Sequence, residues 1–455
     1  MKKFSYLLAF LLFSAGGIFC YNNYYFSPDK ILENSILKDR NFKANVSEVV
    51  VEEESFKAYL LEDKSVPLVV INFSFDKAGR AYEPKNGVSL FTEGLIFDGA
   101  GKYSKKELRK VLKEKGIKIS ASSDNDSFNF SVSYVKEFED VAKDVLKSVI
   151  YSPMLNGEDI DVFKKQVKML KIREKEKPQY ELFSIVKDEF YKSYPYGKDN
   201  YPSDEEIDSL SALDIRNYMQ NYFAKDVLSV GAAGFIDEKE LTAFLSDVFM
   251  GLKDKTISND LPVFEPIYNN EVVSKDASYS KQTFALHIRD GIKRLDEDFY
   301  PFYIADYILG GSGLNSRLNK SIREKEGLTY GIYSYLSDND AGSFWNISYS
   351  ATNENAIKIE EILEKELNDF YENGITNDEL ELAKNSLISS FNLRFASLFN
   401  IALQLNLMLK QNLGRDFLEK RQDMVRAITI DDVNRVIKTR FSKNKRIFML
   451  KANEN

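Results

Sequence analysis

The sequence predicts an α+β fold made of two homologous repeats, each a mostly antiparallel sheet covered by helices. Three observations lead there. Strand-like alternation and helix-like periodicity are mixed along the chain rather than separated into blocks. The same order of elements is written twice, with equivalent points about 211 to 220 residues apart. Between the copies lies DKTISNDLPVFEPIYNNEVVSKD (254–276), with two prolines and little periodicity, which reads as a linker. A chain of 455 residues with 44% hydrophobic and 13% aromatic side chains can fill two cores, and its 29% charged residues are well mixed.

The first repeat is placed at 45–253. LVVINFSF (68–75) reads as a buried strand and GVSLFTEGLIFDG (87–99) as an apolar helix. SKKELRKVLKEKG (104–116) is a helix opened by a Ser104/Glu107 capping box and stopped by Gly116. IKISA (117–121) is a strand. SFNFSVSYV (127–135) alternates, with Phe128, Phe130, Val132 and Tyr134 on one face. The helix from Lys136 to Tyr151 carries Phe138, Val141, Val145 and Val149 on one stripe.

The linker is set at 254–277 and the second repeat at 278–453. TFALHI (283–288) is a strand and DFYPFYIADYILGG (298–311) a helix. LNSRLNKSIREKEG (314–327) is a helix stopped by Gly327, and LTYGIYSYL (328–336) the strand after it. SFWNISYSA (343–351) alternates, and Asn355 to Tyr371 is amphipathic. The closing helices match as well. LSALDIRNYMQNYF (210–223) lies opposite AITIDDVNRVIKTRF (427–441), and Ile215/Phe223 and Val433/Phe441 are each eight apart.

The amino end reads as an export signal at 1–20. Lys2 and Lys3 precede an uncharged stretch, Phe4 to Cys20, that ends in small residues. Uncleaved, it would be the only membrane attachment. Export places the protein in the bacterial periplasm. The single cysteine, Cys20, lies in this segment, so no disulfide is expected in the mature chain. Net charge is -8, and no basic stripe with interleaved aromatics runs along a helix, so nucleic acid is a poor partner.

Four segments together point to a family. They are SRLNKSIREKEGLTY (316–330) after a Gly-rich turn, GVSLFTEGLIFDGAG (87–101), the SSDNDSFNFSV hairpin, and the helix ending at Ser152-Pro153. In order and spacing, from about Ser55 to Lys451, the chain resembles the pitrilysin/insulinase metallopeptidases, the inverzincins. The family helix reads G-x-x-H-x-x-E-H-x-x-x-x-G. Its histidines bind zinc, its glutamate is the general base, and a later glutamate is the third ligand. Here those positions are Leu90, Glu93 and Gly94, and FKKQVKMLKIREK (163–175) is basic where the acid is wanted. The one histidine, His287, cannot build a two-histidine site. It reads as a structural residue. Glu93 reads as a helix residue with no base role, because the metal-bound water it would serve is not held here. Asp124-Asn125-Asp126 lacks the Gly and Glu spacing of a calcium loop and reads as a hairpin turn. No cofactor is expected in this chain, and zinc is expected in a partner subunit.

The resemblance also implies a role for Arg323 and Tyr330, seven residues apart. In the family such a pair hydrogen-bonds the substrate backbone and stabilises the oxyanion formed when zinc-bound water attacks. From spacing alone, Arg323 reads as one more solvated charge, and Tyr330 as a core tyrosine sharing a strand face with Leu328 and Ile332. Gly310-Gly311-Ser312-Gly313 lacks the Lys-Ser/Thr of a phosphate loop. It reads as a helix-to-helix turn, or, by analogy with the mitochondrial processing peptidase's non-catalytic subunit, as a guide for peptide substrate. Two functions follow. One is a non-catalytic subunit of a heterodimeric zinc endopeptidase acting on peptides or unfolded segments, paired with a homologous H-x-x-E-H-bearing catalytic subunit. The other is an inert scaffold or peptide-binding protein. A self-sufficient peptidase fails on the histidine count.

Overall fold

The computed structural model describes residues 45–51, 56–393 and 395–453, so the export segment predicted at 1–20 lies outside the described residues. Two sheets organise the chain. The first contains β1 (Val46–Val51), β2 (Phe56–Glu62), β3 (Leu68–Asp76), β6 (Lys118–Ser123), β7 (Ser127–Val135) and β8 (Leu228–Gly234), in the order β1-β2-β8-β3-β7-β6. A small hairpin, β4 (Gly99–Ala100) with β5 (Tyr103–Ser104), stands apart. The second sheet contains β9 (Val272–Asp276), β10 (Thr283–Asp290), β11 (Ile332–Asn339), β12 (Gly342–Ala351) and β13 (Arg446–Lys451), in the order β11-β12-β10-β13-β9. Only β2–β8 and β9–β13 are parallel. Strand for strand, β2-β8-β3-β7-β6 corresponds to β9-β13-β10-β12-β11, with the same sense at every junction. The two repeats share this topology, and among the described residues β1 is the one strand of the two large sheets without a counterpart.

The alternation read from the sequence sets the register. Phe73 on β3 faces Phe130 on β7, and their rings stack at 4.8 Å. Phe75 stacks on Phe223 at 4.4 Å. Phe128, Phe130, Val132 and Tyr134 all enter the first core. The capping box forms as expected, with Ser104 accepting from Glu107 and Glu107 reaching back to Ser104. Gly116, at φ 63°, ends that helix in the left-handed region where glycine is unstrained.

Helices cover both faces of each sheet, because the repeats exchange one helix each. Helix Leu398–Lys410 of the second repeat lies across β2, β3 and β8 of the first, burying Ile401, Ala402, Leu405 and Met408 against Tyr59, Val70 and Ala233. Gly231 on β8 permits this approach. A Cβ there would sit 2.2 Å from Ala402 O and 2.3 Å from Asn406 N. Helix Pro178–Val186 of the first repeat packs on β10 and β13 of the second, placing Leu182, Ile185 and Val186 against Leu286, Ile288, Phe448 and Leu450.

Several expected boundaries shift. The helix read at 87–99 runs Val88–Leu95, since the chain turns into β4. The helix read at 298–311 is Phe299–Asp306 continued by a wide π-type turn, Tyr307–Gly311. The segment 314–327 begins with a tight turn, Gly313–Asn315, and continues as a wide-turned helix, Asn319–Lys325. The strand read at 328–336 starts at Ile332, so Tyr330 precedes it. β9 falls within the 254–277 linker, so the second sheet draws its edge from there. Among the described residues no helix is long and apolar enough to cross a membrane.

Candidate functional site

Two places bear on function. The first is the helix that would hold zinc. Glu83 accepts from Gly87 N (2.7 Å), Ser89 N (2.9 Å) and Ser89 Oγ (2.7 Å), satisfying donors at the start of helix Val88–Leu95. Leu90 is half-buried against the first core. Gly94 faces Phe163 from helix Gly157–Lys175. A Cβ at 94 would lie 2.1 Å from that ring, which also packs edge-on against Phe91 at 5.0 Å. The second histidine's place is thus taken by an aromatic ring. Beside it a cavity of about 200 Å³ is lined by Lys105, which pairs with Asp98 (2.6 Å) and Asp159 (2.9 Å).

Glu93 is retained in type and used otherwise. Its Oε2 accepts from Ser123 N (3.0 Å) and Ser123 Oγ (3.2 Å), tying the helix to edge strand β6. Burial pushes its carboxyl up, opposed by the Ser123 hydrogen bonds and the nearby Arg80 guanidinium. These residues do not fit a zinc ion: two carry no donor, and the acid is engaged with backbone. Among the described residues no group of three or more His, Cys, Asp or Glu side chains is arranged for a metal. Asp124 closes the β6–β7 turn, its Oδ1 accepting from Asp126 N (2.8 Å) and Ser127 N (2.7 Å). His287 is fully buried on β10, with Nε2 2.9 Å from Glu360 Oε1. Burial pulls its pKa down, so it is held neutral.

The second place is the turn carrying Arg323 and Tyr330. Ile322 is buried in the second core, which leaves Arg323 beside it half-buried. The chain reverses at Gly327 (φ 67°), whose N–H donates to Arg323 O (3.1 Å) while Leu328 N donates to Ile322 O (3.1 Å). Tyr330 is 84% exposed, which overturns its reading as a core tyrosine. Among the described residues neither side chain has a hydrogen-bond or ion-pair partner.

The turn itself is pinned. Asn319 is buried and donates to Ile332 O (2.5 Å) and Gly313 O (3.0 Å) while accepting from Ile332 N (3.3 Å). Asn355 donates to Leu328 O (3.1 Å). Thr329 donates to Ser350 O (2.7 Å) and accepts from Gly331 N (3.1 Å). These asparagines and this threonine were not singled out in the sequence, where side-chain-to-backbone clamps leave no periodic signal.

The Gly-rich loop divides by role. Gly310 is buried under β11, where a Cβ would come within 2.6 Å of Ser334 N. Gly311 borders Asp306, and Gly313 is buried at φ 67° with its carbonyl on Asn319. Ser312 is half-exposed, its N–H on Tyr307 O (2.8 Å). Arg317, in the same motif as Arg323, is structural. It makes two 2.6 Å bonds to Glu379 and one of 2.9 Å to Gly374 O, joining the Gly374 turn to the motif.

Comparison with known proteins agrees with this geometry. Residues 62–201 match the family model described as Insulinase (Peptidase family M16), and residues 209–387 match the Peptidase M16 inactive domain. The chain is 24% identical to an uncharacterized zinc protease, YmxG, of Bacillus subtilis, over 81% of this chain and 89% of that one. It is 22% identical to the non-peptidase homolog YmxG of Helicobacter pylori, over 86% and 91%. It is also 22% identical to human mitochondrial-processing peptidase subunit alpha, over 79% and 73%. The fold matches a crystal structure of a peptidase M16 inactive domain from Pseudomonas fluorescens with TM-score 0.81 at 20% identity, covering 90% of this chain and 98% of that one. With its repeats, its pinned Arg-Tyr turn and Leu90 and Gly94 where the family has its zinc histidines, the chain belongs to the pitrilysin/insulinase (M16) peptidase family.

Proposed function

We propose that this chain is the non-catalytic subunit of a heterodimeric zinc endopeptidase, and that Arg323 and Tyr330 bind substrate and stabilise the oxyanion in a partner's zinc site. One observation carries the reading. Two strong donors stand without side-chain partners among the described residues, on a turn fixed by Asn319, Asn355 and Thr329. Donors held in place in advance need no reorganisation when charge develops, and each can lower a barrier by about 3–4 kcal/mol. A guanidinium and a phenol both donate at neutral pH without losing a proton.

Two of the three motif positions in the first repeat, Leu90 and Gly94, carry no metal-binding side chain, so the reading requires a homologous partner bearing H-x-x-E-H. A relative named as a subunit of a processing peptidase supports that arrangement. Substrates are peptides or unfolded segments. The export signal read at 1–20 puts the pair in the bacterial periplasm.

In the assembled pair, Arg323→Ala or Tyr330→Phe lowers kcat/KM by about one to three orders of magnitude and leaves assembly intact. Unchanged turnover in both variants refutes the role. The other reading, an inert scaffold or peptide-binding protein, is favoured by one feature: the ring of Phe163 in the place of a ligand. It predicts that both substitutions are silent.

A further inference from the structure

The strand-by-strand match between the sheets leaves one position unequal. In the first sheet, β1 lies beyond β2 and pairs with it antiparallel, from Val46↔Leu61 to Val51↔Phe56. In the second sheet the corresponding strand, β9, is the last one, and nothing pairs with its outer side among the described residues. We propose that β9 is a docking edge that accepts an extended segment of another polypeptide as the missing sixth strand. The proposal does not depend on the roles of Arg323 and Tyr330.

The backbone shows which groups are free. Ile447 N donates to Glu271 O, and Ala277 N donates to Lys451 O, so odd-numbered residues of this stretch face β13. The N–H and C=O groups of Val272, Ser274 and Asp276 therefore point outward. Val272, Ser274, Lys275 and Asp276 are all exposed. Such a row is a template for strand addition, in which main-chain bonds give affinity and alternate side chains give specificity.

The chemistry of the occupant follows from what β1 brings to β2. β1 reads VSEVVV, burying Val49 and Val51, and its Glu48 pairs with Lys57 of β2 at 2.9 Å. β9 offers matching features. Val272 is 54% exposed, with exposed Ile267 before it and Tyr279 after it. Lys275 has no ion pair among the described residues. A lysine on a bare edge discourages indiscriminate pairing, and a carboxylate opposite it licenses a particular partner. The fitting occupant is an antiparallel segment like β1, rich in β-branched residues and carrying one carboxylate.

The test uses the full chain and a synthetic peptide with the sequence of Val46–Val51. Amide hydrogen exchange is followed with and without peptide, and affinity is measured by calorimetry. Slowed exchange at the Val272, Ser274 and Asp276 amides is the expected result. Ser274→Pro removes one outward donor and leaves the ladder to β13 untouched. It should weaken binding at least tenfold while leaving thermal unfolding unchanged. The proposal is overturned if millimolar peptide protects none of these amides. It is equally overturned if protection appears at β1, β6 or β11 instead, or if Ser274→Pro binds like the parent. Should Ser274→Pro fold poorly, the exchange pattern of the parent decides alone.

Discussion

Replacing Gly94 with alanine should destabilise this protein, although glycine within a helix is ordinarily the worse residue. Elsewhere the exchange favours alanine by about 1 kcal/mol. Here the new Cβ would lie 2.1, 2.4 and 2.9 Å from three ring atoms of Phe163. Carbon atoms in contact sit about 3.5–4.0 Å apart, so the ring must retreat by roughly 1.5 Å. It is held edge-on to buried Phe91 at 5.0 Å, and that contact is worth about 0.5–1.5 kcal/mol. Overpacking costs about 1–3 kcal/mol, so the net loss is about 1–3 kcal/mol, a fall of a few degrees in Tm. In a Phe163→Ala background the same change should be neutral or stabilising. The double-mutant cycle isolates the clash. By the same geometry, Leu90→His with Gly94→His should gain no tight zinc site while Phe163 is present, as read by competition with a chromogenic chelator. A rise in Tm for Gly94→Ala alone would show that the ring does not close the zinc position.

Other consequences can be checked in turn. Gly231→Ala drives a methyl group into the backbone of helix Leu398–Lys410 and should cost about 3 kcal/mol in urea unfolding, separating that helix from the first sheet. Arg317→Ala strips Glu379 and Gly374 O of their partner. Both side chains are partly solvated, so the expected loss is about 1–2 kcal/mol. Burial raises Asp306 to about 6, above the roughly 3.9 of an unfolded aspartate. The folded state therefore binds its proton first, and this stability is complete below the unfolded value and lost as pH rises through about 6. His287, held neutral, acts in the opposite sense below about 6.5. The readout is thus the difference between parent and Asp306→Asn. Between pH 5 and 7 the parent should lose about 1.3 kcal/mol relative to the variant, part of a total of about 3 kcal/mol that accrues from below pH 3.9 upward.

The repeats were legible because each buried strand face alternates strictly, as at Phe128 to Tyr134, and because Ser104/Glu107 and Gly116 mark helix ends by local chemistry. The loss of the zinc motif was legible from residue types at Leu90 and Gly94. That Phe163 fills the vacated space was not, since a contact 69 residues away leaves no local pattern. The same holds for the exchange of helices Pro178–Val186 and Leu398–Lys410, whose periodicity shows an apolar face and not which sheet it meets. The placement of Tyr330 failed for a local reason. Leu328, Tyr330 and Ile332 alternate like a strand, but Gly331 and the Thr329 clamp keep the chain off the sheet until Ile332.

The most direct test of the central claim is affinity capture of this chain from its own cells, followed by a peptide-hydrolysis assay with and without a zinc chelator. The account predicts that a chain bearing H-x-x-E-H comes down with it, and that chelator-sensitive hydrolysis falls when Arg323 or Tyr330 is replaced. Capture of this chain alone, or with companions inert toward peptides, would contradict it and leave the exposed Arg-Tyr turn without a catalytic role.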